Sequence, residues 1–196
     1  MAKNITKIKH RFPLKQIRLI PKAIQHSWPV LGLICIGLIL SFLNFEPNTW
    51  LIGWDNLHPE FNFALDIKRA FFGVWQEYRG LGLLAGMAQA ADIPRSLFLL
   101  LLQTIGLPTS SLRYFWTFLM LILGPLGVYT TLYALLFKTK FDQPTRQVAS
   151  FFGGLFYLLN LSTAQNFFVP FETFTSLFGF MPWIIFFILR YLTHPS

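Results

Sequence analysis

The stretch SLRYFWTFLMLILGPLGVYTTLYALLF, residues 111–137, is the strongest indication of fold class in this 196-residue chain. Beyond Arg113 it contains no charged residue, and it is longer than the roughly 20 apolar residues that a membrane-crossing helix needs. Three further apolar segments qualify or nearly qualify as spans, at 28–44, 147–168 and 173–192. The sequence therefore predicts an all-α polytopic membrane protein with about four transmembrane helices.

The composition supports the same class. Hydrophobic residues make up 54% of the chain and charged residues 12%, whereas soluble domains carry about 25% charged residues. The apolar runs are continuous rather than alternating, which argues against a membrane β-barrel. The net charge of +8 is sorted by position along the chain, as a membrane topology requires, so we expect no nucleic-acid partner.

Residues 97–107 are apolar but short, and prolines at 94 and 108 bracket them. Segments of this length are more often re-entrant or interfacial than spanning. If the segment does not cross the membrane, the N-terminus, the loop 138–146 and the C-terminus share one side. That side holds eleven basic residues and one acidic residue, whereas the other side holds five basic and seven acidic residues. Basic short loops stay cytoplasmic, so this topology is favoured. A spanning 97–107, which would move 138–146 outside, stays open as the alternative.

This topology divides the chain into two parts. Residues 1–27 form a cytoplasmic N-terminus with seven basic residues and no acid, which suits an anionic leaflet. Residues 28–196 form a single transmembrane domain that begins with 28–44, interpreted as an uncleaved signal anchor. The large outer loop 45–110 includes an amphipathic segment at 61–79, which predicts a helix lying in the membrane interface.

An acidic cluster follows the first predicted span. Asp55, His58 and Glu60 lie in the stretch Gly53-Trp-Asp-Asn-Leu-His-Pro-Glu60. Carboxylates at membrane depth are costly and indicate function, and Asp55 at the membrane surface could act as a general base toward an acceptor hydroxyl. The alternative is a helix cap or a solvated loop acid.

Glu172 is the second candidate. It is the only acid after Asp142, it is flanked by Phe and Pro, and the favoured topology places it on the same side as Asp55. Two carboxylates from separate loops could divide base and orienting roles, or hold a divalent metal ion with His58 as a further ligand. An exposed loop acid at a helix start is the alternative.

Five basic residues on the outer side are candidates for binding a lipid phosphate, because guanidinium groups hold phosphate in a bidentate manner. The alternative for each is ordinary contact with lipid headgroups. The five are Lys68, Arg69, Arg79, Arg95 and Arg113.

The order of these features resembles the N-terminal part of the GT-C fold glycosyltransferases, and most closely bacterial arabinofuranosyltransferase-like membrane proteins. The similar stretches run from a signal anchor and Trp54-Asp55, through Pro94-Arg-Ser-Leu-Phe98 and Leu112-Arg-Tyr-Phe115, to Gly153-Gly-Leu-Phe-Tyr157 and Pro170-Phe-Glu172. The likeness is one of layout and loose motifs over most of this chain.

The resemblance implies an enzyme of the bacterial cytoplasmic membrane that moves a sugar from a polyprenyl-phosphate donor to an extracytoplasmic acceptor of the cell envelope. It places the catalytic aspartate of the first outer loop on Asp55 and a second acid on Glu172. Glu60 or Glu172 would orient the acceptor, and Arg79 or Arg95 would neutralise the lipid phosphate. Members of the family have more helices, so the chain is expected to be a fragment or a split subunit. The alternative function is a non-catalytic scaffold or lipid-handling subunit.

Overall fold

The computed structural model describes residues 22–53, 58–72, 75–76, 81–84 and 89–193. Apart from its loops and one ribbon of two two-residue strands, this part of the chain is helical, so the predicted all-α class is confirmed at that level. The helices are α1 (Lys22–Leu43), α2 (Phe63–Phe72), α3 (Ile93–Thr104), α4 (Thr109–Thr131), α5 (Gln143–Leu159), α6 (Leu161–Phe168) and α7 (Glu172–Thr193); 3-10 turns form at Pro59–Phe61 and Gln89–Asp92, and a π-helical turn, Leu132–Leu136, extends α4.

Helix α4 is the centre of the structure, and α7 packs along it in parallel. Near the start of both helices, the indole nitrogen of Trp116 donates a hydrogen bond to Ser176 Oγ at 3.1 Å. Further along both, the hydroxyl of Thr131 lies 3.3 Å from the carbonyl oxygen of Pro182. The N-termini of α4 and α7 therefore lie at the same end.

Helices α1 and α5 run antiparallel to α4. The ring of Phe45, just after α1, meets that of Tyr114 near the start of α4, with centroids 5.1 Å apart. At the other end, Arg146 in the first turn of α5 lies over Tyr133 in the last turn of α4. The C-termini of α1 and α5 thus join the N-termini of α4 and α7 at one end, which we call the acidic end because Glu60 and Glu172 lie there.

Two glycines let the helices approach closely. A Cβ on Gly124 would lie 2.8 Å from the backbone oxygen of Phe178 in α7, and one on Gly154 would lie 2.9 Å from that of Pro125 in α4. Backbone atoms cannot move aside as flexible side chains can. Small residues at these positions are therefore what brings α5 and α7 against α4.

Helix α3 turns back beside the first half of α4. Gln103 at its end donates to Thr109 Oγ1 at 3.3 Å, and Phe98 in its middle meets the ring of Trp116 at 5.9 Å. The segment 97–107 therefore returns the chain to the acidic end instead of carrying it to the opposite end. A buried core joins these helices to α2 and consists of Phe63, Leu99, Leu112, Trp116 and Met120.

The single helix predicted over 147–168 is divided in two at Asn160. This residue has an extended backbone (φ −75°, ψ 160°). Its side-chain oxygen accepts from the Thr163 amide at 3.0 Å, while its side-chain nitrogen donates to the carbonyl of Tyr157 at 2.9 Å. One asparagine thus ends α5 and caps α6. Its side-chain amide can accept from a free N–H at the start of a helix and donate to a free carbonyl at the end of another.

The predicted amphipathic helix 61–79 is shorter in the structure. Helix α2 ends at Phe72, and the next residue in the sequence is a glycine, which commonly follows a helix end. Beyond it, Trp75–Gln76 pairs antiparallel with Leu83–Leu84. Among the described residues of the predicted apolar face, Phe63 is buried, whereas the side chains of Phe71 and Trp75 are exposed.

Two of the described helices are long and apolar enough to cross a bilayer, Thr109–Leu136 and Glu172–Thr193. The apolar parts of two others are shorter, Ser27–Leu43 and Ile93–Thr104. The basic stretch 1–21 lies outside the described residues.

Candidate functional site

Charged side chains from four elements meet at the acidic end. The 3-10 turn after the first loop contributes Glu60, α3 contributes Arg95, α4 contributes Arg113, and α7 contributes Glu172 at its first residue. All four are buried, with exposed fractions between 4% and 9%. We call this set, together with Asp92, the ion cluster. Buried charges of this kind persist only when they are paired.

Arg113 links two of the carboxylates. Its Nε donates to Oε1 of Glu60 at 3.0 Å, and its Nη2 lies 2.7 Å from Oε1 of Glu172. The two acids come from positions more than a hundred residues apart in the sequence. The arginine therefore ties the first outer loop to the start of α7 across the N-terminus of α4.

Arg95 forms the second link. It binds Asp92, three residues earlier, with both Nε (2.7 Å to Oδ1) and Nη2 (2.5 Å to Oδ2), and its Nη1 pairs with Glu172. Burial alone would lower the pKa of Arg95, but the hydrogen bond with Asp92 and the charges of Glu172 and Asp92 more than offset this effect. The pKa therefore lies above its ordinary value, and the group stays charged.

The acids outnumber the arginines in the ion cluster. Two guanidinium groups face three carboxylates, those of Glu60, Asp92 and Glu172. His58 lies at the edge, with its Nδ1 3.3 Å from Glu60 Oε1. Both arginines are thus already paired with carboxylates, and their role in binding a lipid phosphate stays a prediction.

A cavity of about 790 Å³ adjoins the ion cluster between α3, α4 and α7. Asp92, Arg95 and Glu172 form its charged wall. The rest is mostly apolar and includes Phe98, Trp116, Leu119, Met120, Leu123, Phe171 and Phe180. A mostly apolar cavity of this size with a few convergent polar groups is typical of ligand sites, and this one suits an amphipathic ligand.

A hydrogen bond holds α2 against this site. The hydroxyl of Ser96, which is fully buried in α3, donates to Oδ2 of Asp66 in α2 at 2.6 Å. Ser96 is the neighbour of Arg95. The outer loop is thus attached to the bundle at two places, through Glu60 and through Asp66.

The site residues predicted from the sequence fall into three groups according to where they lie. Glu60, Glu172, Arg95 and Arg113 lie together in the ion cluster, with His58 beside it. Lys68 and Arg69 are exposed on α2 and do not take part in the ion pairs of the cluster. Asp55 and Arg79 lie outside the described residues.

The metal hypothesis receives no support from the described part of the chain. Within it, no three His, Cys, Asp or Glu side chains are grouped so that they could hold a metal ion. Asp55, the first of the proposed ligands, is not among those residues. The ionic partners of Glu172 there are Arg95 and Arg113.

Sequence reasoning missed Asp92 and the Asp66–Ser96 hydrogen bond. Asp92 carried a usable signal, because an aspartate directly before a helix and three residues ahead of an arginine can pair with it on the helix surface. The contact between Asp66 and Ser96 had no such signal, since it joins residues 30 positions apart.

No protein-family model, curated protein or solved structure matches this chain.

Proposed function

We propose that this chain is the N-terminal membrane module of a GT-C type glycosyltransferase that moves a sugar from a polyprenyl-phosphate donor to an extracytoplasmic acceptor. In this proposal Asp55 is the base that activates the acceptor hydroxyl. Glu60 and Glu172 act through Arg113, which holds the first outer loop in place. The transition state would have oxocarbenium character, as in other glycosyl transfers.

The observation that carries the proposal is the cavity next to the ion cluster. A lipid-linked sugar has an apolar chain and a charged, hydroxylated head. The apolar wall of the cavity suits the chain, and its charged wall suits the head. The charged wall lies at the end of the bundle where the first outer loop begins. In this proposal a bound head group lies on the side of the protein that carries Glu60, which follows Asp55 by five residues in the sequence.

The outer surface of α7 supports a location in the membrane. Large apolar side chains are exposed along it, among them Ile184, Phe187 and Ile188 at 54%, 59% and 53%. A contiguous apolar surface of this kind needs lipid or a partner to cover it. We infer that α4 and α7, together with α1 and α5, cross the membrane with the acidic end outside, in the cytoplasmic membrane of a bacterium.

Cysteine labelling tests this topology. In a Cys35→Ser background, we expect Glu46→Cys and Thr173→Cys to react with a membrane-impermeant maleimide from outside, and Asp142→Cys to react only after permeabilisation. All three positions are exposed in the structure. Labelling of Asp142→Cys from the same side as Glu46→Cys would contradict the topology.

Filling the cavity tests the lipid site. Leu123 lines the cavity, whereas Leu177 is 51% exposed, so Leu123→Trp and Leu177→Trp add the same bulk inside and outside it. With a photoactivatable polyprenyl phosphate in nanodiscs, we expect Leu123→Trp to reduce cross-linking about tenfold, the effect of a loss of about 1.4 kcal/mol, and Leu177→Trp to leave it unchanged. Full cross-linking of a Leu123→Trp protein with an unchanged thermal midpoint would refute the cavity as the site.

A lipid-handling subunit without catalysis is the second candidate. The observation that favours it is the pairing of both buried arginines with carboxylates, since such a cluster can serve a structural purpose alone. This candidate predicts the same cavity result but no sugar transfer, and the Asp55 variant discussed below separates the two.

A further inference from the structure

A second polar site lies at the opposite end of the bundle, where α4 ends and α5 begins. The last turn of α4 is π-helical over Leu132–Leu136, and it carries Tyr133. Single π-helical turns inside α-helices are frequent at functional sites. The first turn of α5 carries Arg146, and the two side chains meet across the helix interface. Nothing in the proposed transferase reaction uses this end.

Arg146 is held in a defined position by aromatic rings. Its Cζ lies 4.1 Å from the ring centroid of Tyr133, a distance typical of a cation–π contact. The ring of Tyr129 stacks on the ring of Tyr133, with centroids 5.6 Å apart and an angle of 9° between the planes. The guanidinium group is half-buried, and its Nε is shielded from solvent without a hydrogen-bond partner in the described part of the chain.

The charge of Arg146 has no acidic partner among the described residues, in contrast to Arg95 and Arg113. The two terminal segments that the structure does not describe, 1–21 and 194–196, contain no Asp or Glu. Asp142 is the only acid in the loop between α4 and α5, and its backbone oxygen accepts the amide of Arg146, while Lys138 and Lys140 are exposed in the same loop.

The surroundings therefore favour an anion. A half-buried guanidinium without a counter-charge is costly, and the N-terminus of α5 adds the positive end of a helix dipole. Ser150, one turn further on the same face of α5, is fully buried, and its hydroxyl has no hydrogen-bond partner in the described residues. Guanidinium groups bind phosphate oxygens readily.

We propose that Arg146, held against Tyr133, binds the phosphate of an anionic phospholipid at the end of the bundle opposite the ion cluster. The proposal rests on the membrane location of the chain, but not on its enzymatic activity. A lipid phosphate is favoured over a free one because the exposed apolar surface of the helices would place this end at the headgroup level of the bilayer.

The test compares retained lipids by native mass spectrometry of the purified chain, after reconstitution with mixed phosphatidylglycerol and phosphatidylcholine. We expect the wild-type protein to retain phosphatidylglycerol selectively and Arg146→Gln to lose about fivefold of that retention, as for one basic residue near an anionic surface. Arg190→Gln is the matched control, because Arg190 is exposed in the last turn of α7 at the same end. We expect it to retain wild-type selectivity.

Three results would overturn the proposal. Arg146→Gln could retain the anionic lipid as the wild type does. Arg146→Gln and Arg190→Gln could lose it equally, which would mean diffuse surface charge instead of a site. Inorganic phosphate alone could displace the lipid completely, which would mean a free-phosphate site. If Arg146→Gln fails to insert into phosphatidylcholine nanodiscs, Tyr133→Leu gives the same comparison with the charge retained, and unchanged selectivity there would equally refute the site.

Discussion

Replacing Arg113 by methionine is expected to destabilise the protein by about 3–5 kcal/mol, the usual cost of breaking a buried ion pair from one side. Methionine keeps much of the volume but leaves Glu60 and Glu172 buried without the cation that joins them. The loss should appear as a lower thermal midpoint in detergent. It should also loosen the first outer loop, which would become more sensitive to protease.

The control is Arg190→Met, which removes an exposed cation from α7 and is expected to change stability by less than about 1 kcal/mol. Adding Glu60→Gln and Glu172→Gln to Arg113→Met should restore part of the lost stability, because the two buried charges are then removed. An Arg113→Met protein with a wild-type midpoint would show that the ion cluster is not a structural connection.

Changing Asp55 to asparagine is expected to lower sugar transfer by about 10²–10⁴-fold in the complete protein, the usual contribution of a general base. Asparagine keeps the shape of the side chain but cannot accept a proton. Cross-linking of the polyprenyl phosphate should persist, because the proposed role of Asp55 is to take a proton from the acceptor hydroxyl and not to bind the lipid. The measurement is transfer of a labelled sugar from the lipid donor, with lipid binding recorded in parallel.

Glu46→Gln provides the matched control, since Glu46 is an exposed acid of the same outer loop and its loss should leave transfer unchanged. Full activity of Asp55→Asn would refute the assignment of the base. Selective lipid cross-linking by a complete protein that transfers no sugar in any form would instead support the lipid-handling subunit. The topology and cavity results remain valid in either case.

Much of the ion cluster could be named from the sequence, but not its pairing. Acidic residues are scarce in an apolar chain, so the sequence indicates Glu60 and Glu172 individually. It also indicates Arg95 and Arg113, as candidates for binding a lipid phosphate. The sequence does not say that one arginine bridges the two glutamates. That contact depends on the parallel packing of α4 and α7, which is set by small residues such as Gly124 far from the charges.

Element boundaries were the second source of difference. The apolar pattern over 147–168 predicted one helix because hydrophobicity is continuous there, but hydrophobicity does not register the capping chemistry of Asn160. The amphipathic pattern over 61–79 likewise continued past Phe72, where the chain enters a short ribbon. In both places local hydrogen bonds end the helix, although the hydrophobic pattern of the sequence continues.

The helical class of this protein and the approximate position of its long apolar helices can be predicted from the sequence, and the charge distribution predicts which helix ends share a side. These properties depend on local composition, which is written along the chain. Three features emerge only when the helices pack together: α3 turns back beside α4, four distant charges form one buried cluster, and a cavity adjoins that cluster. Those features depend on which helix faces meet. Such contacts, which join Arg113 to glutamates more than fifty positions away, leave no periodic trace in a single sequence.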